Sequence, residues 1–146
     1  MPVRTDAVGK VWPATAYEVG AEKIREYANA VGETNPVYRD ADSARAAGFR
    51  GVVAPPMFCV VYSNETMAGA MLDPEVGIDF AKLVHGEQLF EWGEPVCSGD
   101  VISTTATLTD VSEKMGMGFY VFRTESVNQD GQQTVTGTWT DIVRDV

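Results

Sequence analysis

Histidine, cysteine and basic residues are scarce in this 146-residue chain, and each shortage argues against a class of protein. Eleven lysines and arginines stand against 21 aspartates and glutamates, so the net charge is −10 with one histidine counted as neutral. So acidic a chain is not expected to bind nucleic acid or an anionic membrane. Its two cysteines, Cys59 and Cys97, form no CxxC motif. We therefore expect reduced thiols, and neither a secreted disulfide framework nor a metal site.

Long apolar runs are missing as well. The longest nearly uncharged stretch, Val52 to Ser63, is too short to span a bilayer, and the first ten residues lack the apolar run of a signal peptide. Apolar residues make up 45% of the chain and charged residues 22%, as in an ordinary globular protein. Without repeats or linker-like shifts in composition, the sequence predicts one cytoplasmic domain over residues 1–146.

Two short amphipathic segments and one apolar segment predict helices. Ala21 to Val31 has an apolar stripe and is followed by Gly32 at the position of a C-terminal cap. Asp42 to Ala47 predicts a short helix that is capped by Asp40 or Asp42. A third helix opens at Pro55 and Pro56, is apolar on nearly every face through Tyr62, and is expected to reach about Ala70. Such a helix is normally buried.

The second half of the chain alternates with the period of two that is typical of β-strands. Predicted strands and turns are the strand Val84–Trp92, the turn Glu94–Asp100, the strands Val101–Val111 and Gly118–Asn128, the turn Gln129–Gly131 and the strand Thr134–Val143. A helical first half followed by an antiparallel meander is an α+β layout. We predict a single hot-dog domain, in which a curved antiparallel sheet wraps a long buried helix.

Four segments, in order and over nearly the whole chain, resemble the MaoC-like dehydratases, and specifically the N-terminal or FAS1-like dehydratase half. They are EKIREYANAVGETNP, AGFRGVVAPPMF, VHGEQLFEWGEPVCSGD and NQDGQQTVTGTWT. The resemblance implies dehydration of (3R)-3-hydroxyacyl thioesters of CoA or acyl carrier protein, or the reverse hydration. It implies no cofactor. It also implies a homodimer, or a heterodimer with a second hot-dog subunit.

That chemistry needs a base for the C2 proton, an acid for the departing 3-hydroxyl, and backbone N–H groups for the thioester oxygen. Catalytic members of the family carry Gly-Asp-x-Asn-Pro-x-His, whereas this chain reads GETNPVY from Gly32 to Tyr38. Glu33 replaces the aspartate and Tyr38 the histidine, while Asn35 keeps its place. A phenol with a pKa near 10 is a poor base but can donate a hydrogen bond.

The resemblance also places an oxyanion-binding glycine at the start of the apolar helix, and Pro56, or Pro55, stands there. Proline has no N–H to donate. We expect the acyl thioester beside Asn35, Ala54 and these two prolines. The single histidine, His85, is the remaining candidate for imidazole catalysis.

Three functions therefore stay open. The first is a substrate-binding half with a degraded Asp/His motif that works beside a catalytic hot-dog partner. The second is a self-sufficient homodimeric enzyme that acts on a specialised biosynthetic intermediate through Glu33, Tyr38 or His85. The third is a thioesterase or an acyl-binding module on the same fold. Both loop residues also fit a role without catalysis: Glu33 as a solvated carboxylate at a helix end, and Tyr38 as a packing residue.

Overall fold

One antiparallel sheet and three α-helices make up the part of the chain, residues 2–146, that the computed structural model describes. In chain order the elements are β1 (Val11–Glu18), α1 (Ala21–Val31), α2 (Ala41–Ala46), α3 (Cys59–Met71), β2 (Leu83–Trp92), β3 (Val101–Lys114), β4 (Met117–Val127) and β5 (Gln133–Val143). Across the sheet the strands lie in the order β1-β3-β4-β5-β2. The α+β prediction is confirmed.

The two amphipathic helices form where the sequence predicts them. Helix α1 has the predicted bounds, and Gly32 ends it in the left-handed conformation with φ of 73°. Helix α2 spans Ala41–Ala46, one residue earlier at each end than predicted. The shift follows from the choice of cap, because the carboxylate of Asp40 accepts a hydrogen bond from the N–H of Ser43 at 2.8 Å.

The apolar segment begins as a 3-10 turn, Pro56–Phe58, and continues as α3 to Met71. One side of α3 packs chiefly against β3 and β1, and its buried residues there include Tyr62, Thr66, Met67 and Ala70. The expectation of burial on every face is wrong for the single chain. The sheet covers one side only, and Asn64, Glu65 and Gly69 on the other side are exposed.

Strand β1 was not predicted. It pairs with β3, but the pairing shifts register between Trp12 and Thr15 on either side of Pro13. A proline and an irregular register hide the strand pattern, because proline removes a ladder hydrogen bond and is tolerated in sheets only at edges or bulges. The first half of the chain is therefore not purely helical.

The strands of the second half match the prediction, with ends that differ by up to three residues. Strand β3 continues to Lys114 and joins β4 through a tight turn. The predicted turn between β4 and β5 holds Gly131 at φ of 76°, and Asn128 accepts from two of the turn's N–H groups. Strand β2 pairs with β5 and forms one edge of the sheet.

Two groups of apolar side chains hold the helices to the sheet. One surrounds Phe58 and includes Ile24 from α1 and Ile102 from β3, and the rings of Phe58 and Tyr27 meet edge-on at 5.5 Å. The other lies between the C-terminal half of α3 and β3, β4 and β5. No helix within residues 2–146 is long and apolar enough to cross a membrane.

Candidate functional site

A cavity of about 400 Å³ opens at the start of α3. Four of the predicted site residues, Tyr38, Ala54, Pro55 and Pro56, line it together. The remaining lining residues are Phe49, Val53, Tyr62, Trp92, Gly93, Glu94, Pro95, Val96 and Thr134. A mostly apolar cleft of this volume with a few polar groups is the ordinary form of a small-molecule site.

Backbone hydrogen bonds fix the wall that leads into α3. The N–H of Val53 bonds the carbonyl of Val37 at 2.9 Å, and the N–H of Ala54 bonds the carbonyl of Val96 at 2.8 Å. From the opposite side the indole of Trp92, at the end of β2, donates to the carbonyl of Pro56 at 2.9 Å. The wall is thereby tied both to the predicted active-site loop and to the sheet.

Two of the polar residues that line the cavity, Tyr62 and Thr134, contribute hydroxyl groups. The phenol of Tyr62 donates to Thr134 at 3.4 Å, and both side chains are buried. Burial raises the pKa of Tyr62 well above its ordinary value. Nearby, burial raises the pKa of the Cys59 thiol to about 12. Cys59 is therefore protonated at neutral pH and does not supply a thiolate nucleophile.

Two residues of the predicted loop, Glu33 and Asn35, do not line this cavity. The carboxylate of Glu33 lies 3.4 Å from the N–H of Asn35, and the amide oxygen of Asn35 accepts from the N–H of Val37 at 3.2 Å. The guanidinium of Arg39 donates twice to the carbonyl of Glu33. These bonds hold the loop's shape and bring only Tyr38 to the cavity.

The start of α3 offers few backbone donors to a ligand. Pro55 and Pro56 both line the cavity and neither has an N–H. The first N–H after the two prolines is that of Met57. The next, that of Phe58, already bonds the carbonyl of Pro55 at 2.8 Å. Neither proline can therefore donate an N–H at the position that the resemblance assigns to the oxyanion donor.

A buried carboxylate, Asp100, joins three turns beside the cavity. It accepts from Arg50 at 2.7 and 2.9 Å, from the N–H of Cys97 at 2.9 Å and from Gln129 at 3.0 Å. Burial alone would raise the pKa of Asp100, but these hydrogen bonds outweigh burial and the net shift is downward. The guanidinium of Arg50 is thus held by a carboxylate of the same chain.

His85 lies away from the cavity, at the far end of β2 from Trp92. Trp92 is seven residue steps along the strand from His85, which is about 23 Å at roughly 3.3 Å per step. The Nδ1 of His85 lies 3.4 Å from a carboxylate oxygen of Asp141, whose side chain is 2% exposed. Burial raises the pKa of Asp141, and His85 opposes that rise in part. The structure does not bring Glu33, Tyr38 and His85 together in one chain.

Sequence reasoning missed Asp100, Asp141 and Thr134, because each acquires its environment from segments distant in the chain. One signal was present for Trp92, which alternation placed on the same face as Phe90. Within residues 2–146 no group of three or more histidines, cysteines or carboxylates is arranged to hold a metal.

Known proteins similar to this chain point to one group. The family model for the FAS1-like dehydratase domain region matches residues 6–137. A UPF0336 protein of Clavibacter michiganensis is 43% identical over 99% of this chain and 97% of its own length. A UPF0336 protein of Streptomyces coelicolor is 39% identical over 98% of this chain and 95% of its own length.

Among solved structures, the C-terminally truncated HadBC (3R-hydroxyacyl-ACP dehydratase) complex of Mycobacterium tuberculosis superposes with a TM-score of 0.85 at 26% identity, over 96% of this chain and 99% of that one. A MaoC-like dehydratase superposes with a TM-score of 0.80 at 27% identity, over 97% of this chain but 43% of the longer one. The R-hydratase PhaJ1 of Pseudomonas aeruginosa shares the fold at 19% identity, with a TM-score of 0.75 over 95% of this chain and 83% of that one. The chain belongs to the FAS1-like dehydratase family of MaoC-like hot-dog proteins.

Proposed function

We propose that this chain is the substrate-binding half of a cytoplasmic (3R)-3-hydroxyacyl thioester dehydratase or hydratase. It holds the acyl thioester of CoA or acyl carrier protein in the cavity at the start of α3. A second hot-dog subunit supplies the acid and base. The similarity to the HadBC dehydratase complex supports a pair of unlike subunits.

One observation carries the proposal: the cavity is well formed, but its lining contains no group suited to be the base. Tyr38 is the only residue of the predicted loop that reaches it, and the buried phenol of Tyr62 stays protonated. Glu94, the remaining titratable group in the lining, lies at the exposed rim. Removal of a C2 proton needs a base within hydrogen-bond reach in a water-poor site.

The His85–Asp141 pair favours one alternative, a self-sufficient homodimer in which a second copy brings His85 toward the first copy's cavity. A histidine oriented by a buried carboxylate is a common form of general base. The rate at which the purified chain hydrates crotonyl-CoA distinguishes the substrate-binding half from the self-sufficient homodimer. We expect little or none, whereas turnover near 10 per second, which is typical of enzymes, would favour the homodimer.

Titration calorimetry with a non-hydrolysable acyl-CoA analogue tests the cavity directly. Ala54→Trp fills the cavity, and Glu94→Trp obstructs its rim from an exposed position, so both should abolish binding. Ala46→Trp, on the exposed end of α2, is the matched control and should bind like the parent.

Glu33→Gln and Tyr38→Phe complete the test and should leave affinity within a few fold, because one removes a charge outside the cavity and the other a single hydroxyl. Binding by both tryptophan variants at the parent's affinity would contradict the site. Release of free thiol from acyl-CoA by the parent would favour a thioesterase.

A further inference from the structure

Two hydroxyl groups line the buried side of the cavity. They belong to Tyr62 of α3 and Thr134 of β5, which are 4% and 2% exposed. On the other side of the cavity, Trp92, Glu94 and Pro95 are exposed. The remaining buried residues of the lining have apolar side chains and are Val53, Ala54, Pro55 and Val96. A ligand that reaches the buried side therefore meets two hydroxyls among apolar groups.

These two hydroxyls are only loosely hydrogen-bonded. The phenol of Tyr62 donates to the hydroxyl of Thr134 at 3.4 Å, and that hydroxyl donates to the carbonyl of Ser126 at 3.3 Å. Hydrogen bonds from a hydroxyl to an oxygen are normally about 2.5 to 3.0 Å long. Both contacts are longer than that range. Tyr62 and Thr134 therefore keep the capacity to bond a further group.

Buried hydroxyls that do not line the cavity are bonded more closely. Ser63 donates to the carbonyl of Cys59 at 2.6 Å, and Thr66 donates to the carbonyl of Thr104 at 2.9 Å. The hydroxyls of Thr104 and Ser126 lie 2.7 Å apart. The fold thus satisfies these hydroxyls within the chain, whereas the two that line the cavity are left with long contacts.

The lining also limits the charge of a group that can bond to this pair. Within residues 2–146 the lining contains no lysine, arginine or histidine, and its carboxylate, Glu94, is exposed. A carboxylate or an ammonium group would lose its hydration at Tyr62 and Thr134 without gaining a counterion, which costs far more than burying a neutral group. A neutral hydroxyl can both donate and accept a hydrogen bond. The pair therefore fits a hydroxyl group of the ligand.

This hydroxyl cannot be the one that leaves in the dehydration. In the proposed function the acid and base come from a second subunit and must lie within hydrogen-bond reach of C2 and the 3-hydroxyl. Groups of another chain reach the cavity from its exposed side, and not from the buried side that Tyr62 and Thr134 line. A hydroxyl bound by these two residues is therefore attached further along the acyl chain than C3.

The volume of the cavity favours a short acyl chain. About 400 Å³ holds on the order of a dozen groups of the size of a water molecule, at roughly 30 Å³ each. A long chain does not fit into this volume. A short saturated chain fits but brings no partner for the two hydroxyls, so it gains no hydrogen bond there.

We propose that the cavity selects a short acyl group that carries a second hydroxyl beyond C3, and that Tyr62 and Thr134 bind this hydroxyl. The inference rests on the proposed function, because it names the substrate class of that same site. Tyr62 and Thr134 determine specificity and take no part in the proton transfers.

Thioether analogues of CoA test this selection. Their S-alkyl chains grow from about four to about eight carbons, and each length is made with a terminal methyl group or with a hydroxyl in its place. Titration calorimetry with the parent should show, at one length, about tenfold tighter binding of the hydroxyl analogue, because only there does its hydroxyl reach Tyr62 and Thr134. At shorter lengths the methyl analogue should bind at least as tightly, since the terminal group then meets apolar side chains.

Two variants attribute the preference to the hydroxyl pair. Tyr62→Phe and Thr134→Val each remove one hydroxyl with little change in volume, and each should reduce the preference to about threefold or less. Their affinity for the methyl analogue should stay within about twofold of the parent's, which shows that the cavity is intact. Ser63→Ala is the matched control, because it removes a buried hydroxyl that bonds its own helix outside the lining, and it should keep the preference.

The outcomes separate this inference from the proposed function. If the parent binds the methyl analogue as tightly as the hydroxyl analogue at every length, the inference is wrong and the proposed function stands. This comparison does not depend on the folding of any variant. The inference is also wrong if the preference survives in both Tyr62→Phe and Thr134→Val, or if Ser63→Ala loses it too. If the parent binds no analogue at all, the proposed function is wrong and the substrate class falls with it.

Discussion

Asp100 and Asp141 are equally buried carboxylates in two regions of the molecule, with 0% and 1% of each residue exposed. Asp100, beside the cavity, receives hydrogen bonds from Arg50, Cys97 and Gln129, and the net effect lowers its pKa. Asp141, on β5 opposite His85 of the edge strand β2, has one long contact with His85, and burial raises its pKa. Burial is common to both, so the difference comes from the donors that surround each group.

This difference separates a region that the chain completes by itself from one that it leaves incomplete. Around Asp100 the turns, the cavity wall and the charges are mutually satisfied. Around Asp141, by contrast, one buried carboxylate oxygen has no hydrogen-bond partner within residues 2–146. The carboxylate beside the cavity is therefore internally satisfied, whereas the β2 end keeps a buried acceptor without a partner in the described part of the chain.

The largest effect should follow from Asp100→Ala. It removes the acceptor of several charge-assisted and backbone hydrogen bonds in a buried site, which should lower the free energy of unfolding by about 3 kcal/mol. Thermal unfolding should show a drop of roughly 6 to 12 °C. Asp110→Ala, at an exposed position, is the control and should stay within about 0.5 kcal/mol of the parent.

The pH dependence of the same variant gives a second readout. Since the folded pKa of Asp100 lies below the unfolded value of 3.8, its contribution is present above that value and lost as the pH falls through the folded pKa. The gap between parent and Asp100→Ala should therefore close in acid. A gap of constant size at every pH would indicate that charge is not its source.

Asp141→Asn should act in the opposite direction and raise the stability of the isolated chain. The substitution removes a buried charge that lacks adequate partners, for a gain of about 1 kcal/mol, or roughly 2 to 4 °C in the melting temperature. Asp141 stabilises only in its protonated form, below the unfolded pKa of 3.8, and this contribution is lost as the pH rises through the raised folded pKa. The advantage of the variant should thus grow from about pH 4 upward. If Asp141→Asn lowered the stability of the chain at neutral pH, Asp141 would be stabilising like Asp100, and the contrast between the two carboxylates would be wrong.

His85→Asn should have the smallest effect. The imidazole is half exposed and its contact with Asp141 is long at 3.4 Å, so we expect a change of a few tenths of a kcal/mol. Urea unfolding at pH 7 measures it, and analogue binding in the distant cavity should not change. A loss above about 2 kcal/mol would mean that His85 compensates Asp141 as fully as Arg50 does Asp100.

Periodicity was enough to predict the elements whose local pattern agrees with their packing. Helix α1 and the strands β2 to β5 follow their apolar spacing, and Gly32 and Gly131 take the conformations that glycine favours. Tyr38, Ala54 and the two prolines were placed at one site by resemblance, and they do line one cavity.

The rest depends on contacts between distant segments. Arg50 and Asp100 lie 50 residues apart, and nothing in either neighbourhood predicts a bidentate pair. The register shift after His85 moves that side chain to the inner face, because one extra residue reverses the alternation. Burial of α3 was overestimated because hydropathy reports which side chains are apolar, and not how far a sheet extends around them.

Pro13 has a consequence for the size of any assembly. A sheet that grows by adding strands at its edges becomes a fibre unless each end is closed to further growth. At β1, a residue without an N–H and an irregular register obstruct the addition of a further strand. One proline therefore hinders polymerisation at this end of the sheet without any part in the chemistry.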